Sequence, residues 1–579
     1  MNTIELKNFR NFEHLDKMSL DGITMLVGTN NAGKSTITKA CRLLGENLHK
    51  IMGNMAVDAL MEGWEKYPPF DFSNVCGNFK RALSTSAKEE IIEFTSQYEM
   101  FVITIKVVKS GDANSSFADI VYVKIYDTID ECSWECNLFE NPHPISKFTY
   151  SGKFLANLTR LKELKYRTRN LLFMEMFTFQ DEKDKEAIQR VAQKKNMTIE
   201  QFCSERQNVI TKSLNQFCKI EQQYEAITDS FSIELPQPCL KPFDIEFNKK
   251  VILDGVHTGF VDGEILDFSD RGIIFDNDTK IFNEYFDYLK MCLNKVLVSN
   301  AVIYIPANDA THDSYFRIDE TYNTDYATTI INRFFKQNMS NFKWVTDMLK
   351  KLGIGEAFNI QQINSDFLYV TITKQGGEVF PLADMGKGAI QLFLKILHLS
   401  TLCPTPNLCI DWSEYEQSVI LWDDDAIKRD AFRKDFKRGL ERYEMIADKK
   451  FDANLCKKLV IIEEPEQNLH PALQSKLADL FLEVSKLGVN VLVETHSEYL
   501  VRRSQVLVAE AKYKDEQELA DKCPFKVYYL PETGTGGKPY YMEYQTTGGF
   551  KRSFGEGFFD EAGKHDMIVL RNESSLKRR

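Results

Sequence analysis

Long apolar runs are missing from this 579-residue chain; none exceeds a few residues, far below the roughly 20 a helix needs to cross a bilayer. The opening Met1-Asn2-Thr3-Ile4-Glu5 lacks the basic-then-apolar layout of a secretion signal, so a cytoplasmic location without membrane contact is expected. Excess positive charge is also absent. The net charge of −12 removes any argument from bulk charge for nucleic-acid binding. Basic clusters are local: Arg160, Lys162, Lys165, Arg167 and Arg169 in one segment, and Lys577-Arg578-Arg579 in another. Each reads first as a solvated face or tail and second as a nucleic-acid surface. Close cysteine pairs are scarce: only Cys132 and Cys136 adjoin, with His143 nearby, and no second pair completes a zinc set. Reduced, mostly buried thiols are therefore expected. Proline and glycine are absent from Phe154 to Thr228, where Leu, Glu, Lys, Gln and Arg dominate. That composition predicts helices, read as an arm of two antiparallel segments reaching roughly 50 Å if straight. Leu155, Leu158, Leu161 and Leu164 recur every three residues and then the pattern dissolves, which excludes a long coiled coil. No repeat array or low-complexity segment is present.

Against these absences stands one dense motif. Gly28-Thr29-Asn30-Asn31-Ala32-Gly33-Lys34-Ser35 fits G-x-x-x-x-G-K-[ST] at every fixed position and follows the apolar run Ile23-Thr24-Met25-Leu26-Val27. Strand, glycine loop, then helix is the context that makes the pattern a phosphate loop. The glycines let backbone N–H groups face an anion, and the helix opening at Lys34 adds partial positive charge. Gly28, Asn30, Asn31, Ala32, Gly33, Lys34, Ser35 and Thr36 are thus candidate nucleotide-binding residues. Lys34 is expected to reach the β- and γ-phosphates, and Ser35 to hold Mg²⁺.

The rest of the chain divides by pattern. With 43% hydrophobic and 27% charged residues it can bury a large core, and its length predicts two or more units. Thr3 to Phe12 reads as a strand and turn, and the phosphate-loop helix runs to about Asn47. Glu90–Val108 and Ala118–Tyr126 read as antiparallel strands around Gly111-Asp112-Ala113-Asn114. Pro236, Pro238 and Pro242 mark a boundary, after which Phe243 to Phe275 reads as short strands. Val302-Ile303-Tyr304-Ile305 is a buried strand, followed by helices to about Leu352 and a hairpin, Asn359 to Phe380, turned at Gln375-Gly376-Gly377. Leu382 to Gly388 opens a helix containing Gln391. A polar insert, about 404–454, precedes Leu459-Val460-Ile461-Ile462. The helix Pro471–Lys486, strand Val489–Glu494 and helix Ser497–Ala511 make a βαβα series, which predicts a parallel sheet covered by helices. Phe525 to Gln545 reads as a hairpin.

A phosphate loop needs a second, acidic element to hold Mg²⁺ and aim a water. Leu459–Ile462 ends in Glu463 and Glu464. On an extended strand these would face opposite sides, giving Glu463 to the metal and Glu464 to the water as general base.

Glu463-Glu464-Pro465-Glu466-Gln467-Asn468-Leu469-His470-Pro471 resembles the Walker B and D-loop run of ABC-type ATPases in the RecF/SMC/OLD group, especially the OLD-like ATPases of bacterial defence operons. Val491 to Ser497 resembles their switch segment, with His496 as the γ-phosphate sensor. Leu382-Ala383-Asp384-Met385-Gly386-Lys387-Gly388 is similar to their signature loop, with Asp384 where serine often stands; Gly386, Lys387 and Gly388 would meet phosphate. Gly555 to Glu561 resembles a tag found in some of these proteins. For the Q-loop, Gln180 is one candidate, a surface glutamine being the other reading of it.

The resemblance spans about residues 1–50 and 380–510. It implies an α/β fold, an ABC-type head with a mixed sheet covered by helices, with inserted β and helical-arm regions. The division expected is 1–50 and 301–512 for the head, 51–300 for the insert, and 513–579 for a small C-terminal extension. It implies ATP and Mg²⁺ as cofactors and a homodimer, or a higher even-numbered oligomer, in which one chain's signature loop closes its partner's nucleotide. It further implies ATP hydrolysis gating an effector from the same operon, such as an HNH-type nuclease, or a DNA-acting complex, in antiphage defence resembling the Septu system. No strand-end Glu with a downstream D-x-D, the set a TOPRIM nuclease requires, follows His496. Asp423-Asp424-Asp425 lies before the acidic strand and reads as a surface loop. A RecF-like repair ATPase and a self-contained OLD-like nuclease remain the alternatives.

Overall fold

The computed structural model describes residues 1–52, 69–111, 115–139, 145–150, 301–307, 313–318, 325–336, 341–402, 458–532 and 538–555, with short pieces between 197 and 297. The predicted helical arm, Gln180, His143, both basic clusters, the polar insert with its acidic triplet, and most of the Gly555–Glu561 run lie outside the described residues.

β1 (Thr3–Phe9) and β2 (Phe12–Ser19) form an antiparallel hairpin. β2 escapes a period-two reading because its buried residues, Phe12, Leu15 and Met18, fall three apart. A register shift between Ile4 and Leu6 accommodates that spacing, as a bulge does. β3 (Ile23–Gly28) is buried throughout and leads into α1 (Lys34–Met52). There follow β4 (Phe70–Asp71), β5 (Ile91–Tyr98), β6 (Phe101–Lys109), β7 (Phe117–Asp127), β8 (Cys132–Asn137), β9 (Ile145–Tyr150) and β10 (Phe231–Glu234). The predicted Glu90–Val108 run is two strands rather than one, reversed at Glu99 with φ +49°.

Next come the short hairpin β11 (Phe260–Val261) and β12 (Glu264–Ile265), then β13 (Val302–Ile305), β14 (Tyr315–Arg317), α2 (Tyr326–Lys336), α3 (Phe342–Leu352), β15 (Ala357–Gln362), β16 (Phe367–Thr373) and β17 (Val379–Pro381). The predicted Asn359–Phe380 hairpin is a three-stranded meander, because Asn364 Oδ1 accepts from the N–H groups of Asp366 and Phe367 and makes an additional turn. A 3₁₀ turn (Leu382–Asp384) precedes α4 (Lys387–Leu402). The chain continues through β18 (Lys458–Glu463), α5 (Pro471–Lys486), β19 (Val489–Glu494), α6 (Glu498–Ala511), α7 (Glu516–Lys522), β20 (Phe525–Leu530) and β21 (Tyr540–Tyr541). Ser497 caps α6 through its side chain, and Pro471 opens α5, where its missing N–H costs nothing.

Of the four sheets among the described residues, two frame the site. The first runs β10-β9-β8-β7-β6-β5-β1-β2 with β4 alongside β7, and all its pairs are antiparallel. It draws strands from both sides of residue 50. The second runs β13-β18-β19-β3-β20-β21, parallel except for the last pair. β20 pairs with β3 from Phe525↔Ile23 to Leu530↔Gly28, so residues after 512 supply a strand to the parallel sheet. In sequence this strand reads only as half of a hairpin, since nothing local reveals its pairing with β3.

Both faces of the parallel sheet are covered, which is why its strands read as unbroken apolar runs. Leu26, Leu459, Ile461, Leu492 and Leu530 pack with α1, whose Ile37, Cys41 and Leu44 also meet Phe94, Phe101 and Ile103 of the antiparallel sheet. Met25, Val27, Val460, Ile462, Val491 and Val493 pack on the opposite face with residues of α4, α5 and α6. Arg503 ties α6 to α5 by two 2.9 Å bonds to Asp479. The fold is mixed α/β, and no described helix is long and apolar enough to cross a membrane.

His398 on α4 is buried, 4% exposed, with Nδ1 2.9 Å from the Tyr326 hydroxyl of α2. Burial, reinforced by the Arg333 guanidinium, pushes its pKa from 6.5 down to about 3. The unfolded chain therefore takes up a proton that the fold refuses, and the stability contributed by neutral His398 is full above pH 6.5 and drains as pH falls toward 3. His398→Gln should flatten this acid limb, worth up to about 1.4 kcal/mol per pH unit. Thermal midpoints of the two proteins between pH 7 and 4 test it; parallel profiles would refute it.

Candidate functional site

Parallel pairing brings the carboxyl ends of β3, β18 and β19 to one edge, the place where open α/β sheets bind ligands. Glu463 stands beside Glu494 in register, and Glu494 beside Leu26. The phosphate loop leaves β3 directly above them. Gly28 has φ +147°, and a Cβ there would lie 2.1 Å from the Leu530 carbonyl oxygen, so only glycine fits where the loop leaves the sheet. Asn31 and Gly33 also take positive φ, +62° and +97°.

Lys34 is buried, and its ammonium donates to the carbonyls of Gly28 and Thr29 at 3.0 and 2.9 Å. Burial lowers its pKa, against the pull of Glu494, Glu464 and Glu466. Asn30 and Asn31 are exposed on the loop, and Ala32 is buried beneath it. Asn11 holds the loop from β2's side, donating to the Asn31 carbonyl at 3.2 Å and accepting from the Thr36 hydroxyl at 3.3 Å. The Thr36 side chain thus supports the loop. Thr36 and Ile37 donate their N–H groups to the Gly33 carbonyl at 3.0 and 3.4 Å, and the N–H groups ahead of them, where the helix opens, suit an anion.

The acidic side of the site is assembled from three strands. The Glu463 carboxylate accepts from the Tyr304 hydroxyl at 2.6 Å and from the Thr38 hydroxyl at 3.4 Å, and the Arg42 guanidinium lies 3.8 Å above the Tyr304 ring. Ser35 donates to Glu494 Oε1 at 2.8 Å. Glu494 is a site residue that the sequence reading passed over. Its signal was its place: the last residue of a strand predicted parallel to the one ending at Glu463.

Glu464 reaches the site by a route other than strand alternation. β18 ends at Glu463, and Glu464 takes φ +39°, donating its N–H to the Glu494 carbonyl at 2.8 Å. Its carboxylate accepts from the Gln467 amide. Glu466 Oε1 accepts from the His496 N–H at 2.7 Å, fixing the turn on which the exposed His496 ring sits. Partial burial lowers the His496 pKa, Lys34 lowers it further, and Glu464 opposes them. Burial raises Glu494, opposed by the Ser35 hydrogen bond and reinforced by Glu463; it also raises Glu466.

Ser35, Glu463 and Glu494 offer only oxygen donors, the set that suits Mg²⁺, and Glu494 Oε2 is buried without a hydrogen-bond partner. Such a carboxylate group fits a divalent cation. Beside the loop opens a cleft of about 710 Å³, lined by Lys7, Asn11, Phe12, His14, Ala32 and Lys88 among others.

The predicted signature segment lies against the turn that follows β18. Asp384, Gly386 and Lys387 are exposed at the start of α4. Gly388 packs on the acidic strand's following turn: a Cβ there would lie 2.5 Å from the Asn468 carbonyl oxygen, and Asn468 donates to Gln391 Oε1 at 3.1 Å.

Residues 256–502 match a family model described as "AAA domain, putative AbiEii toxin, Type IV TA system". The match takes in β18 and β19 and begins after the phosphate loop. Among solved structures, the chain is similar to the Smc head domain of Pyrococcus furiosus with an extended coiled coil, bound to the C-terminal domain of ScpA (10% identity, 94% of this chain, 96% of that chain, TM-score 0.30). It is also similar to the SMC head domain of Thermotoga maritima (9% identity, 94% and 98% covered, TM-score 0.29). No curated protein matches the sequence.

Gly388→Ala should force Asn468 off its position, destabilising the fold by about 1–3 kcal/mol as overpacking does. Denaturant unfolding measures it; a midpoint equal to wild type would show that the turn yields freely.

Proposed function

We propose that the chain binds ATP with Mg²⁺ at the phosphate loop and hydrolyses it. The observation that carries this reading is the 2.8 Å bond from Ser35 to Glu494 with Glu463 beside it in register, which joins the loop to the acidic strand ends. Loop N–H groups and Lys34 bind the phosphate oxygens, the ammonium exchanging the Gly28 and Thr29 carbonyls for them. Ser35 and Glu463 hold the cation, which supplies counter-charge to the phosphates when bound. A water oriented by Glu464 attacks the γ-phosphorus in line; its oxygen bonds to phosphorus, the bond to the bridging oxygen breaks, ADP leaves, and Glu464 takes the proton. His496 donates a hydrogen bond to the γ-phosphate. The 710 Å³ cleft is large enough for the nucleoside.

Gly386 and Lys387, exposed at the start of α4 with Gly388 packed behind them, face outward to meet nucleotide on a second copy, so the active species is a cytoplasmic head-to-tail dimer. On this reading residues 1–50 and 301–512 form most of the ATPase head. The closed dimer gates an operon-encoded effector, such as an HNH-type nuclease, or acts on DNA in antiphage defence. Support for that role comes from the Glu463–Pro471 resemblance, with which the AbiEii-toxin description of the matching family is in keeping.

Lys34→Ala should weaken ATP binding about a hundredfold or more, the cost of losing a charge-assisted contact, in a fluorescent-nucleotide titration. Wild-type affinity in that variant would remove the loop from the site. Glu464→Gln should keep ATP, lose turnover by about a hundredfold or more, and sediment at twice the monomer mass in ATP. Turnover at the wild-type rate would dismiss Glu464 as base.

A further inference from the structure

Glu494 is held in a way that supporting Ser35 does not explain. The residue is 6% exposed, yet only Oε1 is used, by Ser35; Oε2 is buried with no hydrogen-bond partner. An unsatisfied buried carboxylate oxygen is costly, and more so beside a second carboxylate. Glu463 is that neighbour. Partners in a parallel pair present their side chains on the same face, and both carboxylates meet the first turns of α1, Glu494 at Ser35 and Glu463 at Thr38. The nearest ammonium, Lys34, spends its hydrogen bonds on the carbonyls of Gly28 and Thr29. Two adjacent carboxylates, one with a buried oxygen that has no hydrogen-bond partner, call for a compensating positive charge, which a divalent cation supplies.

We infer that Glu494 is itself a ligand of the cation, through Oε2, so that the site consists of Ser35, Glu463 and Glu494. This inference rests on the nucleotide reading above for the identity of the cation, Mg²⁺ delivered with ATP. It places one ligand on each of three elements, α1, β18 and β19. The strand that leads into the turn bearing His496 is thereby tied to the metal, and cation binding and the position of the γ-phosphate sensor become coupled.

The test is a Mn²⁺ titration of the full chain followed by electron paramagnetic resonance, with and without ADP, alongside nucleotide binding with Mg²⁺ present. Glu494→Gln should weaken Mn²⁺ uptake about 10–100-fold. Uptake equal to wild type would overturn the inference and leave Glu494 as a support for Ser35. Absence of uptake by the wild-type chain, with and without ADP, would overturn it too. Failure of the wild type to bind nucleotide with Mg²⁺ present strikes the nucleotide reading instead, and the Mn²⁺ titration alone still decides the role of Glu494. If Glu494→Gln does not fold, Glu494→Asp withdraws the oxygens by one methylene while keeping the charge. Weakened uptake there supports the ligand role, and unchanged uptake overturns it.

Discussion

In-register parallel pairing of β18, β19 and β3 is the constraint on which the rest depends. Because Glu463 pairs with Glu494 and Glu494 with Leu26, three strand ends far apart in sequence finish at one edge. A slip of one residue would turn Glu463 and Glu494 to the opposite face and away from α1. Register is fixed by what the strands bury. Leu459, Ile461 and Leu492 must face α1, and Val460, Ile462, Val491 and Val493 must face the helices on the other side. The hydrophobic effect thereby sets the position of the carboxylates.

The same economy explains α1. Its N-terminal turn carries Lys34, Ser35 and Thr38 to the site, while its apolar side is clamped between the two sheets. A helix buried on two sides has little freedom to shift, so the Ser35 hydroxyl is presented at a fixed point. Glu464 shows the complementary device, a left-handed residue directly after the strand, held by the Glu494 carbonyl. Backbone strain of this kind, at about 1–3 kcal/mol, persists where surrounding structure enforces it.

Much of this was legible in the residues. The glycine loop, the acidic strand and the βαβα series announce themselves by short-range pattern, and α5 and β19 lie where periodicity puts them, at Pro471–Lys486 and Val489–Glu494. What stayed hidden is long-range. β20 looks like any hairpin strand until its pairing with β3 is seen, and β2 is masked by a bulge that spaces its buried residues in threes. Glu494 was hidden for the same reason: its importance lies in its neighbour 31 positions earlier, Glu463, and in Ser35 at the other end of the chain. The opposite-face argument for Glu463 and Glu464 assumed an extended strand through both, whereas the strand stops between them.

The measurement closest to the central claim is a crystal structure of the chain grown with a slowly hydrolysed ATP analogue and Mg²⁺. The account predicts the β- and γ-phosphates within hydrogen-bond distance of Lys34 Nζ and the loop N–H groups, with the cation beside Ser35 and Glu463. Nucleotide bound away from residues 28–36, or a loop empty at saturating analogue, would contradict it.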